Sequence, residues 1–145
     1  MAPRSDRAAR EHLDRAETYL RVAGAGARAG AAGPALTRAH TADARTVGWY
    51  GPPPPGHRLA IDAEVADGAV PPALGRRFGT ADFWARWTRA ESLCKAYDLP
   101  IAVWLRRYGL DVPDRLPGLW RTLTLGDLTV SVACVPTGAA GEGGG

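Results

Sequence analysis

The sequence predicts an α+β fold: a small antiparallel sheet with helices packed on one face. Three stretches carry that expectation. Residues 57–64 (HRLAIDAE) alternate Leu59 and Ile61 against Arg58, Ala60 and Asp62, as a half-buried strand does. Residues 119–135 form two alternating runs around Gly126-Asp127, a two-residue turn of the kind hairpins use. Between them, Phe83, Trp84, Trp87, Ala90, Leu93, Cys94 and Tyr97 recur at helical spacing and predict a helix over 80–97 with a broad buried stripe.

Taken in order, residues 5–29 predict an amphipathic helix. Ser5 or Asp6 can cap it, and Leu13, Ala16, Leu20 and Ala23 supply a thin apolar face. From Ala23 to Gly33 the chain is almost all Ala, Gly and Arg and reads as a frayed end and linker. Thr46–Tyr50 is β-rich, and the prolines of 51–56 demand an extended connector. With 57–64 these segments suggest an antiparallel pair joined by a long proline loop. Thr80 or Asp82 can cap the main helix. Asp98 and Pro100 open a short helix through Arg107, which Gly109 ends. Three stretches follow: an N-terminal helix and Ala/Gly linker (1–32), a domain (33–136), and a Gly/Ala tail (137–145) expected to be disordered.

Composition narrows the function. No run of about 18 apolar residues is present, so no membrane span is expected. The charged start lacks the apolar stretch of a signal peptide, which points to the cytoplasm. The two cysteines sit in apolar, patterned segments and read as buried thiols. A net charge of +3 is too small and dispersed to argue for nucleic acid, and the tryptophans sit in the helical stripe. The 18 basic residues are 17 arginines and one lysine, and there is no Asn or Gln. Strong GC pressure on codons gives this bias. Lys95 then marks either chance or a place where a compact ammonium is needed instead of a guanidinium fork.

Asp62 and Glu64 are two apart on a strand and share a face. Converging carboxylates suit Mg²⁺, though such a pair more often marks a solvated strand edge. Glu91 and Lys95 are four apart on a helix and also share a face. Alone they would be an ordinary surface pair of small value. Trp87 lies near that side, so the pair borders the buried stripe.

The combination is more specific. Phe83-Trp-Ala-Arg-Trp-Thr-Arg-Ala-Glu-Ser-Leu-Cys-Lys95 resembles the signature of the 4′-phosphopantetheinyl transferase superfamily, roughly F-x-x-x-W-[ST]-x-[KR]-E-[AS]-x-x-K. Leu59-Ala-Ile-Asp-Ala-Glu64 resembles that family's G-[IV]-D-x-E strand. Gly33-Pro-Ala-Leu-Thr-Arg-Ala-His40 resembles its G-[KR]-P…S-x-S-H segment, and Leu128–Ala133 its last strand. The likeness spans about 33–135. It departs where Arg89-Ala90 precedes the glutamate, where Ala60 replaces a glycine, and where Thr37 and Ala39 replace serines. The 29 residues from Asp62 to Glu91 are fewer than usual, and the N-terminal half of two-lobed members is missing.

The resemblance implies transfer of the 4′-phosphopantetheine arm of coenzyme A to a serine of an acyl- or peptidyl-carrier protein. It implies Mg²⁺ on Asp62, Glu64 and Glu91, with Glu91 and Lys95 catalytic. His40, Arg89 and Lys95 would contact the phosphates of coenzyme A. A mildly basic surface suits the acidic helix of a carrier. Self-association would supply the missing wall of the site, so a homo-oligomer is the expected state. The alternative is a degenerate member that binds carrier proteins as an accessory subunit without catalysis.

Overall fold

The computed structural model describes residues 4–24 and 34–138. Its elements run α1 (Arg4–Asp14), α2 (Ala16–Tyr19), β1 (Leu20–Ala23), β2 (Thr37–His40), β3 (Thr46–Trp49), β4 (His57–Val65), α3 (Pro72–Phe78), α4 (Phe83–Tyr97), α5 (Ile101–Tyr108), β5 (Leu119–Leu125) and β6 (Leu128–Pro136). The α+β class holds, with two antiparallel sheets in place of one. Their strand orders are β1-β3-β2 and β4-β6-β5.

The second sheet is the middle layer. Along β4 and β6 the side chains alternate, as strands require. Ile61, Ala63, Leu128, Val130, Val132 and Cys134 face the first sheet and α1, where they meet Ala9, Leu13, Val47 and Trp49. Ala60, Ala133 and Val135 face the helices, where they meet Phe83, Leu93, Cys94 and Trp104. Both thiols are free and buried, and burial pushes each up to about 12.

The expected pairing of 46–50 with 57–64 is corrected. β3 lies between β1 and β2, whereas β4 pairs along its whole length with β6, from His57 opposite Pro136 to Val65 opposite Leu128. Alternation shows that a segment is a strand but not which strand it meets. The proline loop carries the chain from one sheet to the other. The N-terminal helix is also shorter than its periodicity suggests. It breaks after Asp14 and ends at Tyr19, and Leu20 turns extended to pair with Trp49. Ladder bonds to β3 outweigh a thin apolar stripe of low helical stability. The N-terminal segment thus joins the main core. The Ala/Gly linker beyond Gly24 and the tail beyond Gly138 lie outside the described residues, while the Thr137 N–H donates to the Gly56 carbonyl.

Several side chains lock the layers. Arg45 grips Asp127 with both Nη atoms, at 2.6 and 2.9 Å, joining the β2–β3 turn to the β5–β6 turn. His57, almost wholly buried, bonds the Pro55 carbonyl through Nδ1 and places Nε2 3.5 Å from Asp6. Asp82 precedes α4 in the left-handed region and makes no side-chain cap. Arg86 instead reaches back to the carbonyls of Phe78, Gly79 and Ala81. Asp98 ends α4, also left-handed, and Pro100 takes the cap position of α5. The short helix α3 buries none of its residues, which is why no apolar period announces it.

Gly51 lies under the ring of Tyr19, which packs on Trp49 with centroids 5.0 Å apart. A Cβ at this glycine would run into that ring. Gly51→Ala is therefore expected to cost about 1–3 kcal/mol by urea denaturation, the range for forced overpacking. An unchanged midpoint would show that Tyr19 does not fix the β3 end of the first sheet.

Candidate active site

Strand β4 turns Asp62 toward α4, and α4 turns Lys95 back. The ammonium sits 3.2 Å from Asp62 Oδ1 and 3.1 Å from the Ile61 carbonyl. Asp62 is 7% exposed, whereas the Lys95 side chain keeps 40% of its surface. Lys95 thus lays its stem along the helix and its head on the carboxylate. Glu64 and Glu91 are half-buried beside them.

The electrostatics bind the four into one cluster. Burial pushes Asp62 from an ordinary 3.8 up to about 7; Lys95 pulls it down, and the charges of Glu91 and Glu64 push it further up. Glu64 is raised by burial first and by Glu91 second, against Lys95. Glu91 is raised by burial, again against Lys95. Three carboxylates share one ammonium, and desolvation penalises each anion. Among the described residues, buried Asp62 Oδ2 has no hydrogen-bond partner.

That orphaned oxygen tests whether a hard cation fits. Among the described residues, no three His, Cys, Asp or Glu side chains are already drawn into a metal cage. Mg²⁺ does not need one, because it commonly takes one or two carboxylates and completes its shell with water and phosphate oxygens. Asp62 Oδ2, Glu64 and Glu91 supply hard oxygen donors and an excess of negative charge. By donor type these are hard oxygens of the kind Mg²⁺ takes, but among the described residues the three carboxylates do not converge into a metal-binding group, and Lys95 holds Asp62 Oδ1.

The other expected site residues lie elsewhere. His40 ends β2 in the first sheet, exposed, with Nδ1 3.2 Å from Thr46 Oγ1. None of its interactions reaches the cluster. Arg89 faces the opposite edge strand: its Nε donates to Thr122 Oγ1 at 3.3 Å and its guanidinium lies over Trp120. Position 90, next to the glutamate, is a fully buried alanine.

Thr88, a signature position that sequence reasoning left without a role, and Ser131, which it did not single out, hold the cluster in place. Asp62, Ser131 and Thr122 stand in register across β4, β6 and β5. Ser131 Oγ lies 2.8 Å from Thr88 Oγ1 of α4 and 2.8 Å from Thr122 Oγ1. Thr88 and Ser131 are fully buried, so this contact sets how α4 sits over Asp62. A serine within the apolar run of β6 was the available signal.

Between about pH 4 and 7 the folded chain holds a proton on Asp62 that the unfolded chain has lost. Stability therefore falls as pH rises through that window. In chelator, Asp62→Asn is expected to raise the melting temperature at pH 8 by roughly 2–8 °C. The gain should shrink toward zero at pH 4. A loss of stability at pH 8 would mean that the Lys95 pairing outweighs the burial of the charge. No family model, curated protein or solved structure matches this chain.

Proposed function

We propose that the chain is a Mg²⁺-dependent transferase that moves the 4′-phosphopantetheine arm of coenzyme A to a serine of an acyl- or peptidyl-carrier protein. The observation that carries this reading is the meeting of Asp62 and Lys95 at 3.2 Å, with Glu64 and Glu91 beside them. These four residues come from the two segments whose sequences resemble the phosphopantetheinyl transferase motifs.

The chemistry follows from their properties. The carrier serine Oγ attacks the phosphorus that bears the pantetheine arm. The bond from that phosphorus to the bridging oxygen breaks, and 3′,5′-ADP leaves. Glu91, whose carboxyl burial raises, takes the serine proton. Lys95, half in solvent, turns its ammonium to the phosphate that gains charge. Asp62 anchors Lys95 and, with Glu64 and Glu91, would hold a divalent ion that neutralises pyrophosphate charge. His40 and Arg89 stand outside this core and would serve only the distal phosphates. A homo-oligomer remains part of the proposal because one domain of this size leaves the site open to solvent on the Lys95 side.

A second reading has its own support. Lys95 already satisfies Asp62 Oδ1, and no closed metal cage stands among the described residues. A degenerate member that binds carriers without catalysis would retain this ion pair as structure.

Intact-mass measurement of an apo carrier incubated with the protein, coenzyme A and Mg²⁺ decides between them. The transferase predicts a mass gain of one phosphopantetheine arm, lost with chelator. Glu91→Ala should abolish the gain while circular dichroism stays unchanged. A folded protein that binds carrier but adds no mass across several carrier types would establish the accessory reading.

A further inference from the structure

The second sheet has two edges, β4 and β5, and they are finished differently. Two bonds at the ends of the β4–β6 ladder fix its phase. The Ala66 N–H donates to the Asp127 carbonyl, and the Thr137 N–H to the Gly56 carbonyl. Even-numbered residues of β4 therefore bond odd-numbered residues of β6. Ile61 then points its carbonyl outward, and the Lys95 ammonium takes it at 3.1 Å. A lysine there guards the edge. By the same alternation, even-numbered residues of β6 bond odd-numbered residues of β5. Trp120, Thr122 and Thr124 thus turn their N–H and C=O groups outward. Among the described residues these backbone groups have no partner. Strand β5 runs for seven residues without proline or lysine. Its one charged side chain, Arg121, is turned under the sheet to the Leu13 carbonyl and Glu17.

The two flanks of this edge differ in chemistry. On the α1 side, Arg10, Leu13, Asp14, Leu119, Trp120 and Arg121 line a cleft of about 230 Å³. Its charges balance, Arg10 against Asp14 and Arg121 against Glu17, and Leu13 and Leu119 give it an apolar wall. On the α4 side stands Arg89, whose Nε donates to Thr122 Oγ1 and whose guanidinium lies over Trp120. Among the described residues Arg89 makes no ion pair, and Asp82 acts on it only at a distance. A strand laid along β5 would send its side chains alternately to these two flanks. A second copy of β5 is a poor occupant. It carries no acidic residue, and it would set Arg89 against its own counterpart.

We propose that β5 takes up an extended segment of a partner protein as an added strand, with acidic side chains toward Arg89 alternating with apolar side chains toward the cleft between α1 and β5. Backbone bonds to Trp120, Thr122 and Thr124 supply the affinity, and the alternation supplies the specificity. Trp120, one of the few large apolar residues left exposed, is covered in the process. This edge lies across the sheet from Lys95, so the proposal does not rest on the transferase reading and leaves the candidate site open.

The probe is a capped peptide of alternating Val and Glu, matched to β5 in length and titrated into the full chain. Backbone amide resonances and their hydrogen exchange report the result. Saturable shifts are expected, with exchange slowed at the amides of Trp120, Thr122 and Thr124. The same peptide with Lys for Glu should bind about tenfold more weakly, and Arg89→Gln should weaken the Glu peptide about fivefold. Thr124→Pro replaces an outward N–H, which an edge strand tolerates, and should abolish binding with circular dichroism unchanged. N-methylating the peptide at its Val or at its Glu residues blocks one backbone edge at a time, so one of the two peptides should fail and the other bind. That arm decides the question even if Thr124→Pro fails to fold. Glu91→Gln should bind like wild type, so failure of the transferase reading would not touch this result. Equal binding of the Lys peptide, equal behaviour of the two N-methylated peptides, or shifts that never saturate would each overturn the proposal. So would slow exchange of the three amides without peptide, which would mean that a second copy or another segment of the chain already covers the edge.

Discussion

Strand β6 is buried on both faces, and most of the architecture answers to that constraint. Seven consecutive residues, Val130 to Pro136, leave almost nothing to solvent except the last. A strand of this kind needs cover above and below its sheet. Helix α4 and the Trp104 side of α5 cover one face, and the first sheet with α1 covers the other. Neither layer could be dispensed with, since removing the first sheet and α1 would expose Val130, Val132 and Cys134, and removing the helices would expose Ala133 and Val135. This explains why the N-terminal segment, weak as an isolated helix, is recruited to the core. Its Leu13, Ala16 and Leu20 complete the cover over Leu123 and Val132.

The same constraint sets the electrostatics of the candidate site. Asp62 lies on β4 beside β6, on the face that α4 closes, so its carboxylate is desolvated by the packing that stabilises the sheet. Lys95 repairs part of that cost from a half-exposed position, and among the described residues Asp62 Oδ2 remains without a partner. An uncompensated buried oxygen is a standing penalty of about 1–3 kcal/mol. A fold that needed only stability would more readily place an alanine there, as it does at Ala60 and Ala133 on the same face. The strained arrangement therefore favours a use for the carboxylate beyond packing, and that use is what the proposed transfer supplies.

Spacing put Asp62 and Glu64 on one strand face and Glu91 and Lys95 on one helix face, while it was the resemblance to a family signature that joined the two pairs. Two apart on a strand and four apart on a helix each put side chains on one face. The hairpin at Gly126-Asp127 was equally legible, since that glycine takes φ 58° in a two-residue turn. Partner choice was not legible. Thr46–Trp49 looks like any short strand, and nothing in its alternation distinguishes β4 from β1 and β2. Those two strands lie in Ala- and Arg-rich runs, where four residues cannot establish a period. Arg89 shows a different failure. Residues two apart on a helix point in nearly opposite directions, so Arg89 could not share a face with Glu91. Reading the signature as a string grouped what the helix separates.

That separation gives the sheet two chemically opposite ends. The row Asp62, Ser131, Thr122 starts at a carboxylate with an excess of negative charge and ends under the Arg89 guanidinium, whose Nε donates to Thr122. Helix α4 spans both, and Thr88 fixes it between them through one buried hydroxyl. A rotation of α4 that improved one end would spoil the other, because Glu91 and Lys95 face β4 while Arg89 faces β5. The buried Thr88–Ser131 contact is thus the pivot on which both sets of charges depend. Its polar character follows from that demand: an apolar pair could fill the same space, but it would leave the orientation of Arg89 to chance.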